Sequence, residues 1–193
     1  MAKAILIVDV QKDFTEGGAL GANGGGALAK KITEHLSAHG NEYELVIASR
    51  DWHDPQNDNG GHFSEQPDYV NNWPPHCVSG TPGAEYHSGL DTNLIDEHIR
   101  KGQGKPAYSA FEGATEAGRT VPELLAEKKI NELVVVGIAT DYCVRASALD
   151  AVAAGLKVTL LPQMCVGIDP AGSIRAIREM SDAGVEVRFL QSV

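Results

Sequence analysis

The sequence predicts an α/β sandwich, a mostly parallel sheet with helices on both faces. Three observations predict it. Short runs that are apolar throughout recur along the chain, as in strands buried on both faces. Between them lie segments whose apolar residues repeat at helical spacing. The two kinds alternate, and right-handed crossovers then place helices on either side of one sheet.

The first strand is Ala4–Val10 (AILIVDV), apolar and rich in β-branched residues until Asp9. The first helix covers Ala27–His39, where Leu28, Ile32 and Leu36 stand four apart. Leu45–Ala48 is the second strand, and Ile99–Gly102 a further short one. Thr120-Val121-Pro122-Glu123 has the pattern of a capping box with Pro in the first turn, so a helix follows over Val121–Lys129. The next strand is Leu133–Ile138. The Ala-rich segment Asp141–Ala154 reads as a helix stopped by Gly155. Val158–Leu161 is a strand, Pro170–Ala183 a helix closed by Gly184, and Val185–Leu190 the last strand. The stretch Asp51–Gly89 has neither period and is rich in Pro, Gly, Asn, His and Trp. A connection that long inside a compact domain is functional or disordered; its aromatic and ligand-type side chains predict an ordered lobe. No repeat or linker divides the 193 residues, so one domain over 1–193 is expected.

The formal net charge is -10 with no basic stripe, which argues against nucleic acid and anionic membrane as partners. The N-terminus runs directly into a strand without the pattern of a signal peptide, and no apolar segment is long enough to span a bilayer. Three cysteines, Cys77, Cys143 and Cys165, are an odd count that suits reduced thiols in the cytoplasm.

In open parallel sheets the site lies beyond the carboxyl ends of the strands. Asp9, Asp51, Lys105 and Ala139–Cys143 all follow predicted strands, which suggests one shared site. Asp51 and His53 are two apart, so in extended chain both side chains point to the same side. With His62 and His76 in the same loop they form a set of imidazole and carboxylate donors. Such donors suit zinc, manganese or iron(II) better than calcium. The bland alternative is a solvated polar loop.

Cys143 falls in the first turn after a buried strand. Unpaired N–H groups and the helix dipole there should lower its pKa and make it nucleophilic. The alternative, a small buried hydrophobe, better fits Cys77 and Cys165. Asp9 interrupts an apolar strand end, so it should be desolvated, with a raised pKa, and is the candidate base. A turn or capping role suits Asp13. Lys105, before Pro106, is by itself a solvated loop residue; beside a buried Asp and a thiol it would hold their charge and geometry. Gly24-Gly25-Gly26-Ala27-Leu28-Ala29 fits a dinucleotide-binding spacing, but it lies well after the first strand, where that fingerprint does not work. It reads as a flexible loop leading into the first helix.

Five segments in order resemble a known family: Ile7-Val8-Asp9-Val10-Gln11-Lys12-Asp13-Phe14, Ser49-Arg50-Asp51-Trp52-His53, Trp73 to Gly83, Tyr108-Ser109-Ala110-Phe111, and Gly137 to Val144. Over essentially its whole length the chain resembles the cysteine hydrolases of the isochorismatase-like superfamily, and within it the nicotinamidases (pyrazinamidases). The resemblance implies a three-layer sandwich with a six-stranded sheet of order 3-2-1-4-5-6 and a metal-binding loop lobe. It implies an Asp–Lys–Cys triad, matched to Asp9, Lys105 and Cys143, and one divalent transition metal on Asp51, His53, His76 and His62. It implies an oxyanion hole from the backbone N–H groups of Ala139 and Cys143, with a cis bond at Ile138–Ala139. Phe14, Trp73, Tyr108, Ile138 and Tyr142 are matched to the substrate pocket; Tyr142 stands where His is frequent in the family. The implied reaction is hydrolysis of nicotinamide or pyrazinamide to the acid and ammonia, by a monomer or homo-oligomer. The alternatives are another small-amide or N-carbamoyl amidohydrolase of the superfamily, or a metal-binding protein without catalysis.

Overall fold

The computed structural model describes residues 2–190. Six strands form one parallel sheet: β1 Lys3–Val8, β2 Leu45–Asp51, β3 Glu97–Lys101, β4 Glu132–Ile138, β5 Lys157–Val166 and β6 Glu186–Val187. Their order is β3-β2-β1-β4-β5-β6, as the family resemblance implied. The helices are α1 Gly25–His39, α2 Val121–Glu127, α3 Arg145–Ala153 and α4 Pro170–Asp182. No helix among the described residues is long and apolar enough to cross a membrane.

The apolar runs are continuous because each strand feeds two cores at once. Along β1, Ala4, Leu6 and Val8 pack to one side with α2, α3 and α4. Ile5 and Ile7 pack to the other, with Leu28, Ala29, Ile32 and Leu36 of α1. The period of two along a strand splits one apolar run between two faces. The α1 side is completed by the long connection, which contributes Cys77, Ala84, Tyr86, Leu90 and Ile95. This connection is an ordered lobe, as expected, stitched down by the bridge His53–Val78 and by a second between Phe63 and Trp73.

Several boundaries differ from the sequence reading. β1 stops at Val8, because Asp9 turns to φ 48°. β5 runs on to Val166, past the expected Leu161, with an irregularity against β4 between Val135 and Gly137. β6 keeps only Glu186–Val187 of the expected Val185–Leu190, pairing with Thr159 and Leu160. The helix expected from Asp141 begins as a π-helical turn over Thr140–Val144, and α3 proper starts at Arg145. Backbone carbonyl satisfaction explains that turn: both Tyr142 N (3.0 Å) and Val144 N (3.1 Å) donate to Ala139 O.

Chain order reverses between β1 and β4. Adjacent connections there leave in opposite directions and open a crevice at the carboxyl ends. Gly137 sits at this junction, opposite Val8, at φ 125°. A Cβ there would overlap the Val8 carbonyl oxygen and lie 2.6 Å from Val8 N. Gly137→Ala is expected to destabilise the fold by about 3 kcal/mol, through positive φ and overpacking together. Urea unfolding checks this; an unchanged midpoint would mean that β1 and β4 need no such close approach.

Candidate active site

Four strands deliver one polar cluster to the crevice. Asp9 follows β1, Asp51 ends β2, Lys101 ends β3, and Cys143 lies in the turn after β4. All four are buried. Lys101 Nζ lies 2.9 Å from Asp9 Oδ2, contacts Asp51 Oδ1 directly, and donates to Cys143 Sγ at 3.6 Å. The thiol and the two carboxylates lie within 4.8 Å of one another. Ser49 Oγ donates to Asp9 Oδ1 at 2.7 Å, which fixes the carboxylate's orientation. Asp9 Oδ2 has no well-aligned hydrogen bond despite its short approach to Lys101. At that distance Lys101 pairs with the carboxylate, and burial of the Asp9 carboxyl still favours its taking up a proton.

Burial and neighbouring charge divide the protons. Burial opposes the Lys101 ammonium, but Asp51 and Asp9 outweigh it and hold the lysine well above its ordinary range. Burial would raise Asp51, yet Lys101 and the adjacent imidazoles hold it well below the usual carboxylate range. Burial raises Asp9, with Lys101 pulling against it and Asp51 adding to it. Burial likewise pushes the Cys143 thiol well above its usual value, only partly opposed by Lys101. This corrects the expected low pKa. The turn that carries Cys143 is enclosed and faces two carboxylates, so the thiol is protonated at neutral pH and needs a base. Asp9, raised by burial and within 4.8 Å of the thiol, is placed to be that base.

Beside this cluster lie the candidate metal donors. Asp51 Oδ2 is 3.6 Å from His53 Nε2 and 3.7 Å from His76 Nε2. These gaps exceed a hydrogen bond and approach the roughly 3.4 Å that separates tetrahedral ligands on metal bonds of about 2.1 Å. Nitrogens of His53, His62 and His76 lie within 4.8 Å of one another, and all three residues are buried. The far nitrogens of two rings are tied: His53 Nδ1 to Gly102 O and His76 Nδ1 to Pro74 O, both at 2.8 Å. Each Nδ1 therefore donates to its carbonyl and turns Nε2 toward Asp51, the ring orientation in which imidazole is held for a metal. His53 Nε2 and His62 Nδ1 are buried without a hydrogen-bond partner. Burial and the neighbouring histidines lower His62 to about 4, so its ring is neutral. Two orphaned nitrogens and a carboxylate around one point fit a divalent transition metal ion.

Both groups open on one cavity of about 320 Å³. Phe14, Trp73, Tyr108 and Tyr142 are its aromatic walls, with Asp51, His62, His76, Ala139 and Cys143 at its polar end. Trp73 Nε1 donates to the Tyr108 hydroxyl at 3.0 Å, and Tyr142 meets Trp73 edge-on at 5.1 Å. The peptide Ile138–Ala139 is cis, as the resemblance implied.

A model of the isochorismatase domain matches residues 3–192. The chain belongs to the isochorismatase family. It is 47% identical over 186 residues to the nicotinamidase/pyrazinamidase of Mycobacterium tuberculosis, covering 96% of this chain and 97% of that one. The pyrazinamidase of Pyrococcus horikoshii, solved in complex with zinc, superposes with a TM-score of 0.83 at 35% identity, covering 98% of this chain and all (100%) of that one. PnC1 of L. infantum, solved in complex with nicotinate, gives 0.82 at 32% identity, covering 99% and 96%.

Two residues proposed from sequence are displaced in this isochorismatase fold. The cation beside the thiol is Lys101, not Lys105. Lys101 is paired in register with Asp51 at the end of β3, and the pleat turns its side chain toward Asp9. Lys105 lies four residues further, past Gly102 and Gly104, and is exposed. Ile138 is also corrected: its side chain is packed in the core on the α1 side, not in the cavity wall. Leu20, Tyr69 and Ile168 line the cavity and were missed, since loops without periodicity carry no signal of what they face. Lys101→Met strands two buried carboxylates and is expected to cost about 3 kcal/mol, whereas Lys105→Ala stays within about 0.5 kcal/mol. Urea unfolding of both variants checks the assignment; equal effects would overturn it.

Proposed function

We propose that the protein hydrolyses nicotinamide, and pyrazinamide, to nicotinate or pyrazinoate and ammonia through a Cys143 thioester. The whole chain, residues 1–193, acts as one catalytic domain, and it works in the cytoplasm. The observation that carries this reading is the convergence of Asp9, Lys101 and Cys143 with four metal donors on one aromatic cavity. Its volume is at the small end of ligand pockets, which run from roughly 300 to 1,000 Å³. A flat heteroaromatic amide suits such a slot, its ring between Phe14, Trp73, Tyr108 and Tyr142. The relatives named for nicotinamide and pyrazinamide hydrolysis support the same substrate class.

The ring enters with its carboxamide toward Cys143. Asp9 Oδ2 accepts the thiol proton, and the nascent thiolate is stabilised by Lys101 at 3.6 Å. Sγ attacks the amide carbon, and the oxyanion forms beside the backbone N–H groups of Ala139 and Cys143. Asp9 returns the proton to the departing nitrogen, ammonia leaves, and a thioester remains. Asp9 then takes a proton from water, whose oxygen attacks the thioester and frees the acid and the thiol. Lys101 keeps its proton throughout, because two carboxylates face it. Asp51, His53, His62 and His76 would hold a divalent metal, which would supply Lewis-acid polarisation to a heteroaromatic ring bound in the cavity; zinc, manganese and iron all suit this donor set.

Cys143→Ala is expected to lose ammonia release from nicotinamide by more than about a thousandfold while keeping its metal content. Undiminished turnover would remove Cys143 as the nucleophile. Lys105→Ala should leave kcat unchanged, in contrast to Lys101→Met. His53→Ala should fall below one metal per chain on elemental analysis and show a raised KM for nicotinamide; full metal occupancy would strike His53 from the donors.

A further inference from the structure

The segment that carries Asp9 also grips the metal lobe. Gln11 is buried, and its side-chain amide pairs with the main chain of Asp51 from both ends: Asp51 N donates to Gln11 Oε1 and Gln11 Nε2 donates to Asp51 O, each at 2.8 Å. The same Nε2 reaches Ala84 O at 2.9 Å. Two residues on, Asp13 Oδ2 accepts from Cys77 N at 2.7 Å, directly after His76. Cys77 O in turn accepts from His53 N at 3.0 Å. Phe14 then packs on the His76 ring, with centroids 5.5 Å apart. Gly83 is part of this arrangement, since a Cβ on it would overlap the Asp13 carboxylate.

We propose that Gln11 and Asp13 are positioning residues for the metal site: through the backbones of Asp51 and Cys77 they set where Asp51, His53 and His76 present their donor atoms. Asp9, Gln11 and Asp13 stand two apart on one stretch of chain, so the catalytic base and the metal donors are held by a single splint. Neither Gln11 nor Asp13 is itself a donor. The assignment rests on reading Asp51, His53, His62 and His76 as the metal site. Partners that orient metal ligands without touching the ion typically govern affinity by about 10- to 100-fold.

The test is zinc affinity of metal-stripped protein, measured by competition with a chromophoric chelator. Gln11→Met, Asp13→Ala and Gly83→Ala are each expected to weaken zinc binding by about tenfold or more. Asp13→Asn, which keeps an acceptor for Cys77 N, should recover to within about threefold of wild type. Thr33→Val serves as a control for destabilisation alone. Thr33 ties α1 to Gly89 and Asp91 by two hydrogen bonds away from the site, and its loss should leave zinc affinity unchanged. Folded Gln11→Met and Asp13→Ala with wild-type affinity would overturn the proposal, as would an equal loss in Thr33→Val. If Asp13→Ala does not fold, Gln11→Met and Gly83→Ala decide in the same way. Wild-type protein that binds no zinc would instead overturn the donor assignment itself.

Discussion

The Lys101 ammonium, enclosed between Asp9 and Asp51 and beside Cys143, is the interaction on which the site depends. An isolated charge at that depth would be prohibitively unfavourable. Here one cation faces two carboxylates, so each charge is retained because the others are present. The consequence is functional. The paired charges hold Lys101 above and Asp51 below their ordinary ranges, while burial raises Asp9, which in the proposed reaction exchanges a proton with the neighbouring thiol.

Asp51 is shared between the two halves of the site. One of its oxygens meets Lys101 and the other faces His53 and His76. A metal bound there and the Asp9–Lys101–Cys143 cluster beside it would therefore feel the same carboxylate. The sheet makes this sharing possible, since β1, β2, β3 and β4 are neighbours and all run parallel, ending on the same side. The π-helical turn after β4 then brings Cys143 back over the strand ends.

Much of this was legible in the chain. Asp9 stood out because a carboxylate at the end of an apolar strand has no apolar explanation. Asp51 and His53 stood out because a spacing of two in extended chain has one geometric meaning, and His62 and His76 because donors cluster. Cys143 was legible by its place after a buried strand, although its proton affinity was not, since that depends on charges from three other strands. Lys101 was hidden. In Glu97-His98-Ile99-Arg100-Lys101 it looks like one more solvated charge on an edge strand, and Lys105 followed a strand just as plausibly. Gln11 and Asp13 were hidden too, because a side chain that grips a distant main chain leaves no mark on local pattern.

The sequence by itself determined the alternation of strands and helices, the two-sided burial of β1, β2 and β4, and the residue types available for chemistry. These follow from periodicity and polarity, which are local. Only the tertiary structure decided which lysine is enclosed, what each oxygen of Asp9 meets, and which side chains grip the main chain at Asp51 and Cys77. Those facts arise from register between strands far apart in the chain: a shift of four residues, from 101 to 105, separates an ammonium held by two carboxylates from one in solvent.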